Sequence, residues 1–211
     1  MSKAHPGRVR PSPNPTSLDL LRRARLGGFF RPRQLADAGL TRDQLPALVR
    51  SGSVEKIGRG LYRLADAEPT ENYGLALACA RVPNSIVCLL SALRVHEIGT
   101  QSPADVWLAI PHKARAPRLP EIRLRFVRFG GLAWKFGVKD TEFEGVQARI
   151  TSPARTVADC FRFERLIGAD TALEALRDAL RHRKVTIAEL SRVEQVIPSR
   201  RLRAALDMRA T

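Results

Sequence analysis

Three features of the sequence predict an α+β chain in two parts, a small helical unit closed by a hairpin and then a mixed domain with a small sheet and C-terminal helices. The stretch from Gly27 to Leu64 reads as two short helices, a tight turn and a hairpin. Between Asp105 and Ile150 apolar residues alternate with polar ones in several short runs, the period of strands. From Ser152 onward the apolar spacing changes to that of amphipathic helices.

Residues 1–15 carry Pro6, Pro11, Pro13 and Pro15 with Arg8 and Arg10 between them, and are expected to form a flexible basic arm. A first helix is expected from Ser17 to Leu26, with Leu18, Leu21 and Leu26 inward and Arg22, Arg23 and Arg25 outward. Pro32 suits a first helical position, and Gly39 suits the left-handed residue that ends the same short helix, leaving Leu35 and Ala36 as its inward residues. Thr41 and Gln44 then have the spacing of a capping box, and Leu40 and Leu45 that of a hydrophobic staple. Leu45, Leu48 and Val49 form the core stripe of the second helix, while Arg42, Asp43, Gln44, Ala47, Arg50 and Ser51 lie opposite. Pro46 removes a backbone donor near the start of this helix, so its first turn is expected to be loose. Ser51-Gly52 breaks the pattern, and strands Ser53–Ile57 and Leu61–Leu64 follow, joined by Gly58-Arg59-Gly60. Helices and hairpin in this order predict a winged helix-turn-helix over residues 16–66.

Charge agrees with that reading. The 211 residues carry a formal net charge of +15, and residues 1–64 hold 13 Lys and Arg against 4 Asp and Glu. A field of this size favours a polyanion, most often nucleic acid. Arg42, Gln44 and Arg50 are expected to face a major groove, and Arg31, Arg33 and Thr41 to hold phosphates near helix N-termini. Lys56, Arg59 and Arg63 would lay the hairpin on the DNA backbone or in the minor groove. The expected partner is double-stranded DNA, with no membrane partner. No apolar signal segment opens the chain, and no apolar run approaches the length of a membrane span, so a cytoplasmic protein is expected.

The polar run Ala65–Thr70 is the expected boundary, with an α+β domain over residues 71–211. Within it, helices are expected at Glu71–Arg81 and Ser91–Ile98, and strands at Asp105–Ile110 and Ile122–Phe129. The latter strand would bury Ile122, Leu124 and Phe126 and turn Arg123 and Arg125 outward, as a partner surface or a solvated face. Val138–Phe143 and Val146–Ile150 would pair around Glu144-Gly145. Ser152 and Pro153 open a helix through Phe163, Asp170–Arg183 follows, Thr186 and Glu189 form a second capping box, and Ser199–Met208 closes the chain.

No cofactor, metal centre or enzymatic activity is expected. The sequence lacks a P-loop and a G-x-S-x-G turn, and its four histidines show no metal spacing. Cys79, Cys88 and Cys160 sit among apolar residues and read as buried thiols of a reducing compartment. Trp107 and Trp134 read as packing residues. The alternative is a DNA-processing enzyme, a metal-dependent nuclease built on Asp105, Glu121 and Arg123, with the winged helix docking the substrate; in it Arg123 stands where a lysine would polarise water. A protein-interaction module is the other alternative.

The run GGFFRPRQLADAGLTRDQLPALVRSGSVEKIGRGLYRL resembles the N-terminal winged helix of the AbiEi-type antitoxins, the regulators of type IV toxin–antitoxin systems. The resemblance falls on Gly39, Leu40, Thr41, Leu45, Leu48, Gly52, Val54, Ile57, Gly58, Arg59, Gly60, Leu61 and Tyr62. ALRVHEIGTQSPADVWLAIP and EFEGVQARITSPARTVADCFRF are similar to that family's C-terminal domain, the second most distinctively, at Ser152, Pro153, Arg155, Thr156, Ala158 and Asp159. The resemblance implies a repressor that binds inverted repeats in its own promoter. It also implies an antitoxin domain that counters a nucleotidyltransferase-like toxin.

Overall fold

The computed structural model describes residues 16–23 and 28–210, and the chain divides into two units after Glu68. The expected arm, residues 1–15, and the expected positions of Arg25 and Leu26 lie outside the described residues.

The first unit begins with α1 (Ser17–Arg23). Thr16 and Asp19 cap it reciprocally: the Asp19 carboxylate accepts from the Thr16 N–H at 3.1 Å and hydroxyl at 2.6 Å, and Thr16 Oγ1 accepts from the Asp19 N–H at 3.3 Å. Leu21 is buried, with Leu18 and Leu20 half-buried beside it. A two-residue strand, β1 (Phe29–Phe30), pairs antiparallel with β3 (Leu61–Leu64), which also pairs with β2 (Val54–Gly58), so the three-stranded sheet has the order β1-β3-β2.

Pro32–Ala38 forms a 3₁₀ helix that ends at Gly39, where φ is 69°. Leu35 is buried as expected, but Ala36 is exposed and Ala38 is buried in its place. With three residues per turn, positions 35 and 38 share a side, and 36 turns away. The next helix also departs from a uniform α-helix. Arg42–Gln44 is a 3₁₀ turn, and α2 proper spans Leu45–Arg50, which places Pro46 in the first α-helical turn, where no acceptor awaits its missing N–H. Leu40, Leu45 and Leu48 close the core with Leu35, Val54 and Leu64.

The second unit is built on a five-stranded mixed sheet of order β6-β5-β4-β8-β7, from β4 (Ile86–Val87), β5 (Val106–Pro111), β6 (Leu124–Phe129), β7 (Val138–Phe143) and β8 (Val146–Thr151). β7 and β8 pair around Glu144 and Gly145, with φ 47° and 82°, two consecutive left-handed residues that match the twist of a hairpin. α3 (Tyr73–Arg81) packs on β4, β5, β7 and β8. Ile86, Trp107, Ala109, Val127 and Phe129 face the larger core, shared with α4 (Leu89–Val95), α5 (Pro153–Arg162), α7 (Ala169–Arg181), α8 (Ile187–Val196) and α9 (Arg200–Ala210). α6 (Glu164–Ile167) is a single turn between α5 and α7.

The edge strand β6 reverses one expectation. Val127 and Phe129 are its buried residues, whereas Ile122, Leu124 and Phe126 are only half-buried. The helical layer covers the face of Val127 and Phe129, while on the other face α3 packs mainly on β8, β7, β4 and β5. No helix among the described residues is long and apolar enough to cross a membrane.

Candidate nucleic-acid interface

In the first unit the apolar side of α2 is fixed by Leu45 and Leu48, so its other side must face outward. Arg42, Asp43, Gln44, Pro46, Ala47 and Arg50 are all exposed. Arg42 stands in the 3₁₀ turn, Arg50 ends the helix, and the small surface of Pro46 and Ala47 lies between them in sequence. Gln44 is engaged locally, because its Oε1 accepts the Thr41 backbone N–H at 2.8 Å. Its amide nitrogen is the group left to donate outward.

Arg31 and Arg33 are exposed at the start of the preceding 3₁₀ helix, where the Arg31 N–H donates to Gln34 Oε1 at 2.8 Å. Lys56 is exposed on β2 and Arg59 at the hairpin tip, beside Gly60 with φ 64°. None of Arg31, Arg33, Arg42, Arg50, Lys56 and Arg59 has an ion-pair partner among the described residues. Seven basic residues were expected to reach DNA from this unit, and six of them are free to do so.

Arg63 is the correction. It is 7 % exposed, and its guanidinium donates to the Ala67 carbonyl. The cause is β1: the Phe29–Phe30 strand makes β3 the middle strand, so Arg63 lies between Phe29 and Glu55 rather than on an open wing. Tyr62, its neighbour, stacks on Phe30 with ring centroids 6.1 Å apart.

The distinctive motif of the second unit is spent on the core. The Ser152 hydroxyl accepts the Arg155 N–H at 3.4 Å, starting α5. Arg155 is fully buried; its Nε donates to Asp159 Oδ2 at 2.8 Å, and its two terminal nitrogens donate to the carbonyls of Phe136 at 2.6 Å and Ala133 at 3.1 Å. Its guanidinium also lies 4.8 Å from the centre of the Phe129 ring. Burial pushes the Asp159 carboxyl up to about 6 against the pull of Arg155. Thr156 Oγ1 donates to carbonyls of Thr151 and Ser152 at 3.1 and 2.9 Å.

The residues of the nuclease alternative are bound to other residues. Asp105 is held between Arg123 at 3.0 Å and Arg125 at 2.8 Å, and Glu121 pairs with Arg81 at 3.0 Å. The arginine face of β6 is therefore anchored to its own unit. No group of three or more His, Cys, Asp or Glu side chains among the described residues is placed to hold a metal ion. His96 is half-buried, its Nε2 donates to the Thr151 carbonyl at 2.7 Å, and burial lowers its pKa. Cys79, Cys88 and Cys160 are buried free thiols, and burial pushes Cys79 up to about 12. Trp107 is buried, and Trp134 carries the Arg149 guanidinium at 4.5 Å.

The first unit thus presents a basic helix face and a basic hairpin. Residues 19–65 match the family described as "Transcriptional regulator, AbiEi antitoxin". The match spans the whole basic array, and it supports a regulator's role for the chain. No curated protein matches the sequence. Among solved structures the chain is similar to the RV2827C protein from Mycobacterium tuberculosis, with a TM-score of 0.54 and 15 % identity over 89 % of this chain and 73 % of that one. At that identity the likeness is one of fold.

Proposed function

We propose that the first unit, residues 16–66, is a winged helix-turn-helix that binds double-stranded DNA, and that the protein represses its own operon from inverted repeats in the promoter. The carrying observation is the set of exposed, unpaired cations on one helix and one hairpin, with the opposite helix face buried. Arg42 and Arg50 reach base edges, with the Gln44 amide nitrogen as a further donor and Ala47 as the apolar contact that suits a thymine methyl. Arg31, Arg33 and Thr41 sit on phosphates, while Lys56 and Arg59 place the wing. Residues 71–211 form the antitoxin domain of a type IV pair whose toxin is nucleotidyltransferase-like. This reading rests on the family match over residues 19–65 and on the likeness of the second unit's motifs. The protein acts in the cytoplasm.

The test is fluorescence-anisotropy binding to DNA from the protein's own upstream region, against a scrambled duplex, at two salt concentrations. Arg42→Ala and Arg50→Ala are each expected to cost about 1–3 kcal/mol on the promoter and far less on the scrambled duplex. Lys56→Ala with Arg59→Ala should weaken both duplexes alike and flatten the salt dependence. Equal affinity for both duplexes by the wild-type protein would defeat the repressor reading.

A further inference from the structure

The second unit carries a cavity that the proposed DNA interface does not use. The loop after β5, residues 112–120, and the C-terminal end of α3 line an open pocket of about 820 Å³. A single side chain holds much of that loop in place: the Arg128 guanidinium donates to the carbonyls of Pro111 at 2.9 Å and His112 at 3.4 Å, and also to that of Ala114. Three arginines line the pocket, Arg81 from α3 and Arg115 and Arg118 from the loop. Arg115 and Arg118 are exposed and have no carboxylate partner among the described residues. Arg81 pairs with Glu121 through one terminal nitrogen, while its Nε is buried with no acceptor among the described residues. Behind the arginines the wall is apolar, from Val82, Pro83, Ile110 and Pro117.

Forked guanidinium donors match phosphate oxygens, and the cavity's size falls within the roughly 300–1,000 Å³ typical of small-molecule sites. A flat ridge for a DNA backbone would need the cations but not the apolar wall behind them. We infer that this cavity binds a phosphorylated small molecule of mononucleotide size, with the phosphate on Arg81, Arg115 and Arg118 and the organic part against Val82, Ile110 and Pro117. The site gives the second unit a ligand of its own, separate from the DNA contacts of the first.

Isothermal titration of the full chain with AMP, GMP, CMP, UMP and inorganic phosphate tests this, with a single-stranded oligonucleotide and a scrambled duplex as separate arms. At least one mononucleotide is expected to bind one-to-one and at least ten-fold tighter than inorganic phosphate. Arg115→Ala/Arg118→Ala should weaken it ten-fold or more; both positions are exposed, so the fold is kept, as circular dichroism will check. Arg42→Ala/Arg50→Ala should leave it unchanged even where promoter binding is lost, which separates this site from the DNA interface. The inference is overturned if no mononucleotide saturates the protein at millimolar concentration, or if the loop variant binds as well as wild type. It is equally overturned if the loop variant loses only oligonucleotide or duplex binding, since the arginines then belong to a nucleic-acid surface.

Discussion

Arg155→Met tests the most concentrated set of interactions in the protein. Methionine keeps the apolar stem and removes a guanidinium that is fully buried and bonded to Asp159, Phe136 and Ala133. Removing one partner of a buried ion pair costs about 3–5 kcal/mol, because the remaining carboxyl must either stay charged and unpaired inside or take up a proton. Two carbonyls lose a donor as well, so the upper part of that range is expected. Against a stability of about 5–15 kcal/mol for a typical domain, this is a large share, and it corresponds to a fall in Tm on the order of 10 °C. Arg155→Met/Asp159→Leu should lose less than Arg155→Met alone, since no lone charge is then left inside. The pH dependence has a definite sign. The folded-state Asp159 carboxyl stands at about 6, above its ordinary 3.8, so its contribution to stability is full below 3.8 and is lost as pH rises through 6. Without Arg155 the carboxyl moves higher still and keeps its proton further into the neutral range. The deficit of the variant relative to wild type should therefore shrink between pH 7 and pH 4.5. Urea unfolding at both pH values measures it. A loss under 1 kcal/mol at pH 7, or a deficit that widens in acid, would refute the pairing as the source of stability.

Gly137→Ala should destabilise by about 2–4 kcal/mol in thermal unfolding, because φ is +66° and the new Cβ would lie 2.9 Å from the pinned Arg155 Cβ. Gly39→Ala, at φ +69° with nothing near, should cost only about 1–2 kcal/mol. Arg63→Ala should lower stability by about 1–3 kcal/mol and leave promoter affinity unchanged well below the melting temperature, the reverse of what a wing contact would give. Glu189→Ala should cost about 0.5–1 kcal/mol at pH 7 by removing a helix cap. The bonds from Thr186 hold the Glu189 carboxyl below its usual 4.5, so this contribution is present above 4.5 and lost as pH falls through the lower folded value; unfolding curves of the two proteins should converge in acid.

The sequence made the first unit legible because its signals are local. The residues that cap the second helix, Thr41 and Gln44, and the glycine that ends the first, Gly39, act within a few positions of themselves. So does Pro46, whose effect on the first turn appears as the 3₁₀ segment Arg42–Gln44. What stayed hidden depends on distant partners. Phe29–Phe30 is too short to show any alternation, and its pairing with β3 decides that Arg63 is interior. The faces of β6 could not be ranked from alternation alone, since both carry apolar residues and only the placement of the helices chooses between them. Arg155 and Asp159 have the spacing of an ordinary surface pair; the sign of their burial is the run of apolar residues around them, Val157, Ala158, Cys160 and Phe161.

Net charge alone does not locate the proposed binding surfaces. The second unit is rich in arginine, yet several of its cations are paired: Arg123 and Arg125 with Asp105, Lys184 with Glu97, Arg201 with Glu164 and Arg203 with Glu194. A paired arginine has already given its directional donors to a carboxylate and has little field left for a polyanion. In the first unit Arg22 pairs with Asp19 and Asp66, while Arg31, Arg33, Arg42, Arg50, Lys56 and Arg59 have no ion-pair partner among the described residues. The quantity that marks a binding surface is the unpaired charge at fixed positions. Two places where such charge gathers are the helix-and-hairpin face of the first unit and the loop of Arg115 and Arg118 in the second. The first is open and adjoins a helix, which suits a duplex; the second is concave and backed by apolar side chains, which suits a small molecule. On the two proposed readings the same cationic chemistry serves two different ligands, and the shape behind the charge decides which.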